Sequence, residues 1–461
     1  MPGIRYEKLQ DLDDETEIHQ PKETSSVRLS IVAFLLLFGF ISATIFLTSV
    51  PSNGMSRTVI GSRSLEETSQ RPVLKSTSKS KRNITRWVDY YFTQEESEFL
   101  NCSALLPANK DSIDQYVTHG RMKLDKERLF ELPMDCPSIR QRIHGDMPSF
   151  KPLKRPIAIL RTVYNIYELQ EAFLSISYHP DNTFCFAIDS KSTEKMKTSV
   201  RKLDDCFENV IVLEKEYNFD GKGHGQDPAH FDCLQRIMDR KWNHAVLLQV
   251  TLSTSFFSSL KLLFQNFDLV IKTPYQLSDL SELLNYTSVM GFDFGFGDRY
   301  NQTADWTPAG IKLFKSETGV PDKILHSKLR IRKGLNEVIV SKVFVKSIFE
   351  KLNVDRIIKL FNENNYYGVD EMLINTLYEN NLGLDGQLEA NCSRNHRDVL
   401  SRLTHWNYNG PNGFTRTCLS HFKRHGICVL GVEYLKELSE SNYVTGLLLE
   451  TTIYISIFTL S

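Results

Sequence analysis

Apolar positions fall into three regimes along this chain. Leu29 to Val50 is a charge-free, mainly apolar run carrying Phe34, Leu35, Leu36, Leu37, Phe38, Ile41, Ile45, Phe46 and Leu47, bounded by Arg28 and by Pro51-Ser52-Asn53-Gly54. At about 1.5 Å per residue a helix of this length crosses a hydrocarbon core of roughly 30 Å, so the run predicts one transmembrane segment. Ser52 to about Arg82 is rich in Ser, Thr, Lys and Arg with few apolar residues. It cannot bury a core and reads as a flexible stem. Folded sequence is expected from about Trp87-Val88-Asp89-Tyr90-Tyr91-Phe92 onward. From Arg155 short apolar runs alternate with helical spacing. Strands are expected at Ile157–Leu160, Phe184–Ile188, Val210–Val212 and Ala245–Leu248, and helices at Ile166–Ser177, Thr193–Leu203 and Ala229–Arg240. Strands that alternate with helices predict an α/β fold, a largely parallel sheet covered on both faces.

Charge adds little. The formal net charge is −1, and no basic surface suggests a nucleic-acid partner. The cysteines add more. All eight follow the apolar run, as do the sequons at Asn83, Asn101, Asn285, Asn301 and Asn391. An even cysteine number and glycosylation signals on one side of an anchor suit an oxidising lumen. Basic residues flank the run on both sides (Lys22 and Arg28, then Arg57 and Arg63) and do not decide its orientation. A cleaved signal peptide is the bland alternative, but the run is too long and Asp11, Asp13, Asp14, Glu15 and Glu17 precede it. The expected organisation is a cytosolic tail over 1–28, a signal anchor over 29–50, a stem over 51–95, a lumenal domain over 96–443 and an atypical apolar tail over 444–461.

Ligands of parallel sheets bind beyond the carboxyl ends of the strands. That singles out Arg161-Thr162-Val163 after the first strand and Asp189-Ser190-Lys191 after the second. Asp189 suits a ribose or base and Lys191 a phosphate, although from the residues alone Asp189 reads more readily as the cap of the next helix. Gly221-Lys222-Gly223-His224-Gly225 is either a diphosphate cradle or a plain loop, since it fits no standard phosphate-loop spacing. Asp293-Phe294-Gly295-Phe296-Gly297-Asp298 has the wrong spacing for a metal-holding acidic pair, and no Cys/His cluster has zinc spacing. In Tyr366-Tyr367-Gly368-Val369-Asp370-Glu371, Gly368 permits a turn, and Asp370 is placed to cap a helix starting at Glu371. A carboxylate in the first turn of a helix is held ionised by the positive helix end, as a general base requires. Ordinary capping chemistry explains the same residues.

Several segments together resemble a known family. In order they are Arg155-Pro156-Ile157-Ala158-Ile159, Phe184 to Ser192, Cys206-Phe207-Glu208-Asn209-Val210, Ala229-His230-Phe231-Asp232-Cys233, Val270-Ile271-Lys272-Thr273, Asp370-Glu371 and Cys428 to Leu435. Residues 100 to 443 are similar to the core-2/I-branching β-1,6-N-acetylglucosaminyltransferases, a family that also contains peptide O-xylosyltransferases. The resemblance implies a GT-A-type nucleotide-sugar-binding fold and an inverting, metal-independent transfer from a UDP-sugar to an acceptor hydroxyl, without a cofactor. It implies Glu371 as catalytic base. Arg161, Thr162, Val163, Asp189, Ser190 and Lys191 would line the nucleotide site. Arg424 would meet the diphosphate, with Lys423 or His425 sharing that role because the register is off by one. Trp406 would stack on an acceptor sugar or else serve the core. The implied disulfides are Cys136–Cys206, Cys185–Cys233 and Cys418–Cys428, leaving Cys102 to pair with Cys392 or stay free. The expected partners are UDP-GlcNAc, a glycan or glycoprotein acceptor and the Golgi membrane. The alternatives are xylose transfer from UDP-xylose to serine and a non-catalytic lumenal member of the family.

Two segments depart from the resemblance. Val250 to Gln265 interrupts a pattern that otherwise runs from Leu247-Leu248-Gln249 to Asn266-Phe267-Asp268. Val444 to Ser461 replaces an ending that should supply a phosphate-binding lysine and a last cysteine. Read as a second membrane segment, this tail is barely long enough and carries Glu450. Both segments begin with Val, whose codons begin with GT, and the first ends with Gln, which CAG encodes. They read as intron sequence carried into the protein. If both are genuine, the leaving group loses one cation, in a kind of stabilisation often worth several kcal/mol. Sequenced transcripts are expected to lack both segments; transcripts retaining both would contradict this reading.

Overall fold

The computed structural model describes residues 105, 107–120, 132–145, 150–248, 268–290, 292–294, 299–363, 365–387, 400–405, 418–421, 423–424 and 427–447. The chain divides into Met1–Lys79 and Ser80–Ser461. The expected anchor and stem, Asn83, Asn101, Cys102, Val250–Gln265, Asn391, Cys392 and Trp406 lie outside the described residues. No described helix is long and apolar enough to cross a membrane.

The second unit is a mixed α/β structure with a largely parallel sheet, as in GT-A-like folds. Helix α1 (Cys136–Ile143) precedes strand β1 (Ile157–Val163). There follow α2 (Tyr167–Ser177), β2 (Thr183–Ile188), α3 (Glu194–Cys206), β3 (Val210–Val212), α4 (Gln226–Arg236) and β4 (His244–Leu248). Next come β5 (Asp268–Val270), α5 (Pro274–Leu284), β6 (Phe292–Phe294), β7 (Arg332–Gly334), β8 (Ile339–Ser341), α6 (Lys342–Lys351) and α7 (Val354–Asn362). The last elements are α8 (Leu373–Glu379), β9 (Arg402–Leu403), β10 (Lys423–Arg424), β11 (Ile427–Cys428), α9 (Leu435–Glu440) and β12 (Thr445–Leu447).

The main sheet has the order β3-β2-β1-β4-β8. Ile159 pairs with Phe184 and Val246, and Phe184 with Val210, all in parallel. β8 closes the sheet antiparallel, with Val246 opposite Ile339. Successive side chains point to opposite faces, and here they feed two cores. Ile157, Ile159, Val163, Phe184, Phe186 and Ile188 enter one. Ala158, Leu160, Cys185, Ala187 and Leu247 enter the other. Burial on both faces is why these strands read as near-continuous apolar runs.

Element ends differ from the sequence expectation for physical reasons. β1 runs three residues past Leu160 because Arg161 and Thr162 are buried despite their polarity. The Arg161 guanidinium donates from Nε to Gln170 Oε1 at 2.8 Å and from Nη1 to the Asp268 carbonyl at 2.8 Å, and lies 4.4 Å from the Phe173 ring centroid. Helix α4 begins at Gln226, earlier than the expected Ala229, because Gly225 takes a left-handed φ of 83° that starts the turn. α3 is capped by Thr193, whose hydroxyl accepts from Met196 N–H at 3.2 Å. The capping reading of Asp189 therefore fails, since Asp189 lies upstream of the residue that does the work.

The three implied disulfides are present. Cys136–Cys206 ties α1 to the end of α3, Cys185–Cys233 ties β2 to α4, and Cys418–Cys428 closes the approach to β11. A second sheet has the order β5-β12-β9. In it β12 is antiparallel to β5 and parallel to β9, with Val444 and Thr445 fully buried. The domain limit expected at Tyr443 thus falls just before a strand that the fold uses.

A buried ion cluster joins the two sheets. Arg402 on β9, 7% exposed, stands 2.8 Å from Asp268 Oδ1 on β5 and 3.0 Å from Glu337 Oε2 ahead of β8, both carboxylates 1% exposed. Burial pushes the Glu337 carboxyl well above its ordinary range, against the pull of the Arg402 charge. Removing one partner of a buried ion pair leaves an uncompensated charge, so Arg402→Met is expected to cost about 3–5 kcal/mol in chemical denaturation. A variant as stable as the parent would show that the cluster does not hold the sheets together.

Candidate active site

The first half of the site lies at the carboxyl end of β2. Asp189 N–H donates to the Val163 carbonyl at 2.8 Å, Tyr217 N–H to Ile188 at 2.9 Å, and Ser190 N–H to Tyr217 at 2.7 Å. Asp189 is fully buried. Its Oδ1 accepts from Lys191 N–H at 2.9 Å and lies 3.0 Å from Lys191 Nζ. Oδ2 is buried without a hydrogen-bond partner among the described residues. An unpartnered buried carboxylate oxygen is costly unless a ligand donor satisfies it. Lys191 Nζ also donates to Asn218 Oδ1 at 2.7 Å and to the Phe219 carbonyl. Ser190 is exposed. Asp189, Ser190 and Lys191 thus share one strand end. Arg161, Thr162 and Val163 lie on neighbouring β1 with buried side chains, Thr162 Oγ1 donating to Gln226 Oε1 at 2.8 Å.

From Tyr217 the chain runs to Gly225 and meets the second half of the site. The Lys222 carbonyl accepts from Gly368 N–H at 2.7 Å and Val369 N–H at 3.1 Å. Lys222 N–H and His224 N–H donate to Asp220 Oδ1 at 2.9 and 3.0 Å, Gly223 N–H to the Asp220 carbonyl at 3.3 Å, and Gly225 N–H to Asn362 Oδ1 at 3.1 Å. The donors from Lys222 to Gly225 are therefore committed to the protein, which removes the diphosphate-cradle reading. The glycine at 223 serves close packing instead: a Cβ there would lie 2.0 Å from Asp370 Oδ1, and its φ is 91°.

Gly368, at φ 67°, turns the chain into a single 3-10 turn, Val369–Glu371, and helix α8 starts only at Leu373. The expectation of a helix beginning at Glu371 under an Asp370 cap is corrected here. No side-chain cap forms, because the Asp370 carboxyl turns to Gly223 and accepts from Asn336 Nδ2 at 3.4 Å. Glu371 keeps a carboxylate 26% exposed, with Oε2 2.6 Å from Arg299 Nη1 and 3.4 Å from Lys333 Nζ. A side chain at Gly368 would collide with that pair, its Cβ 2.4 Å from Arg299 Nη1. Burial, with the Glu371 charge adding, pushes Asp370 up to about 7. Behind it, burial pushes Asp227 well up, and Asp370 adds to the shift. Burial works against the charge of Arg402, but Asp268, Glu337 and, more weakly, Glu371 overcome it and hold the guanidinium ionised. Glu371 therefore lies within electrostatic reach of the buried cluster.

Arg299, Lys333 and Asn336 escaped the sequence reading. Arg299 stands in no motif, and only folding brings it across 72 residues to Glu371. Lys423 and Arg424 form β10 against β11, Arg424 opposite Ile427. The side chains of Lys423, Arg424 and His425, and all of Trp406, are outside the described residues. Asn285 is exposed just beyond α5, and Asn301 Oδ1 accepts from Thr303 N–H and Oγ1 at 3.0 and 2.7 Å. A groove of about 720 Å³ flanks β3 and includes neither Asp189 nor Glu371, so cavity size does not mark this site. Among the described residues no three His, Cys, Asp or Glu are grouped to hold a metal.

Residues 157–251 and 259–439 match the family model described as "Branch: Core-2/I-Branching enzyme". The chain belongs to the core-2/I-branching enzyme family. It is thereby a glycosyltransferase, and the family implies a nucleotide-sugar donor and a glycan acceptor. The match skips only 252–258, inside the Val250–Gln265 departure, and stops shortly before Val444. Beta-1,3-galactosyl-O-glycosyl-glycoprotein beta-1,6-N-acetylglucosaminyltransferase 3 of Mus musculus is 23% identical over 348 residues, 72% of this chain and 75% of that one. The similarly named transferase 4 of Danio rerio is 21% identical over 380 residues, 75% of this chain and 78% of that one. A shorter likeness, 28% over 123 residues, links 25% of this chain to 28% of a probable transferase 7 of Sus scrofa.

Proposed function

We propose that the protein transfers N-acetylglucosamine from UDP-GlcNAc to a 6-hydroxyl of a Gal- or GalNAc-containing glycan, with inversion and without a metal, from the lumenal side of the Golgi membrane as a single-pass type II protein. The observation that carries the reading is the joining of the two half-sites. One segment, Tyr217–Gly225, begins on Asp189 and ends hydrogen-bonded to the turn that bears Glu371. Nucleotide and base would thus share one edge of the sheet, the geometry that a single displacement needs. The relatives, named as beta-1,6-N-acetylglucosaminyltransferases, support the donor sugar and linkage of this reading. The Leu29–Val50 run and the sequons beyond it supply the compartment.

In this mechanism the Glu371 carboxylate takes the proton of the acceptor hydroxyl as its oxygen bonds to the anomeric carbon. The bond from that carbon to UDP breaks on the opposite face through an oxocarbenium-like transition state. Asp189 accepts from the nucleoside and Lys191 lies beside it. Fixed cations stabilise the departing diphosphate, Arg424 foremost, with Lys423 and His425 beside it in sequence.

Purified lumenal protein from verified transcript should release UDP from UDP-GlcNAc when given Gal- or GalNAc-terminated acceptors, at a rate that EDTA does not change. Release only from UDP-xylose with a serine peptide would move the protein to xylose transfer. No release from any UDP-sugar would make it a non-catalytic binding protein.

A further inference from the structure

The mechanism above gives no role to Asp370, the carboxyl next to the base in sequence. Asp370 precedes Glu371 within one 3-10 turn, so the two side chains cannot be placed independently. Its Oδ1 occupies the space where a side chain at Gly223 would stand, and its Oδ2 accepts from Asn336 Nδ2 at 3.4 Å. On the far side, the loop that it packs against leads into α4, where Asp227 is 2% exposed with Oδ2 unpartnered among the described residues. We propose that Asp370 is a positioning residue for Glu371, clamping the base-bearing turn onto the Gly221–Gly225 loop and tuning the base through its own ionisation.

The inference rests on Glu371 being the base. Carboxyls whose charges act on one another, as those of Asp227, Asp370 and Glu371 do, cannot all ionise cheaply. Burial, with Asp370 adding, pushes Asp227 well above its ordinary range, and burial together with Glu371 pushes Asp370 up to about 7. Other titratable or charged groups about this turn are Asp220 with its partner His224 from the loop, Arg299 and Lys333 on Glu371, and Arg402 from the buried cluster. Once ionised, Asp370 places a negative charge beside Glu371, which favours proton uptake from the acceptor. Transfer is therefore expected to rise with pH through about 7.

Asp370→Asn and Gly223→Ala test the two sides of the clamp, with Glu371→Gln alongside. Asp370→Asn should lower kcat by on the order of ten- to a hundredfold, as small misplacements of catalytic groups do. KM for UDP-GlcNAc and the thermal midpoint should hold, and the limb near pH 7 should vanish. Gly223→Ala should lower kcat in the same way by displacing Asp370. Parental kcat and pH profile in Asp370→Asn would overturn the proposal, and so would a loss confined to KM or to folding. Full activity in Glu371→Gln would instead overturn the assignment of the base.

Discussion

A backbone carbonyl and a glycine hold this site together. Lys222 O accepts two N–H groups from the turn ahead of Glu371, and Gly223 leaves just enough room for Asp370 to close against it. The two segments are far apart in sequence, and each belongs to a different part of the fold. Tyr217–Gly225 hangs from the carboxyl end of β2, while Gly368–Glu371 leads into α8. Without this contact the strand end carrying Asp189 and the turn carrying Glu371 would be two unrelated surface features. With it, one hydrogen-bonded segment connects them. Positive φ at Gly223, Gly225 and Gly368 is the conformational cost of that join, and glycine bears it with least strain.

The scaffold behind the join is built to resist displacement. The main sheet sends alternate residues into two separate cores, so no strand can slip by one residue without exchanging its faces. Cys185–Cys233 links β2 to α4, the helix that follows the glycine loop, and fixes both ends of the connection. Two buried guanidinium groups among the described residues meet carboxylates. Arg142 pairs with Glu171 within the first core, and Arg402 sits between Asp268 and Glu337. The Glu371 charge also acts weakly on Arg402 of the second cluster.

Much of this architecture was legible in the sequence. Strands buried on both faces announce themselves as apolar runs, and β2, β3 and β4 lie within one residue of where the pattern put them. The reading failed where polar residues are buried. Arg161 and Thr162 hid the end of β1, and the buried Gln226 and Asp227 hid the start of α4. It failed again on local chemistry. Asp189 and Asp370 both looked like caps, but Thr193 caps α3 and Asp370 is drawn to Gly223 by a contact that no local window contains. The disulfide pairing came from family resemblance alone, and all three pairs are present. Arg299 and Lys333 carried no signal, because their approach to Glu371 exists only in three dimensions.

A structure of the lumenal domain with UDP-GlcNAc analogue and acceptor bound tests the central claim most directly. The account predicts uridine at Asp189 and the acceptor 6-hydroxyl within hydrogen-bond distance of the Glu371 carboxylate, on the face of the sugar opposite the bond to UDP. A donor bound away from the β2 edge, or a different carboxylate facing the acceptor hydroxyl, would contradict it.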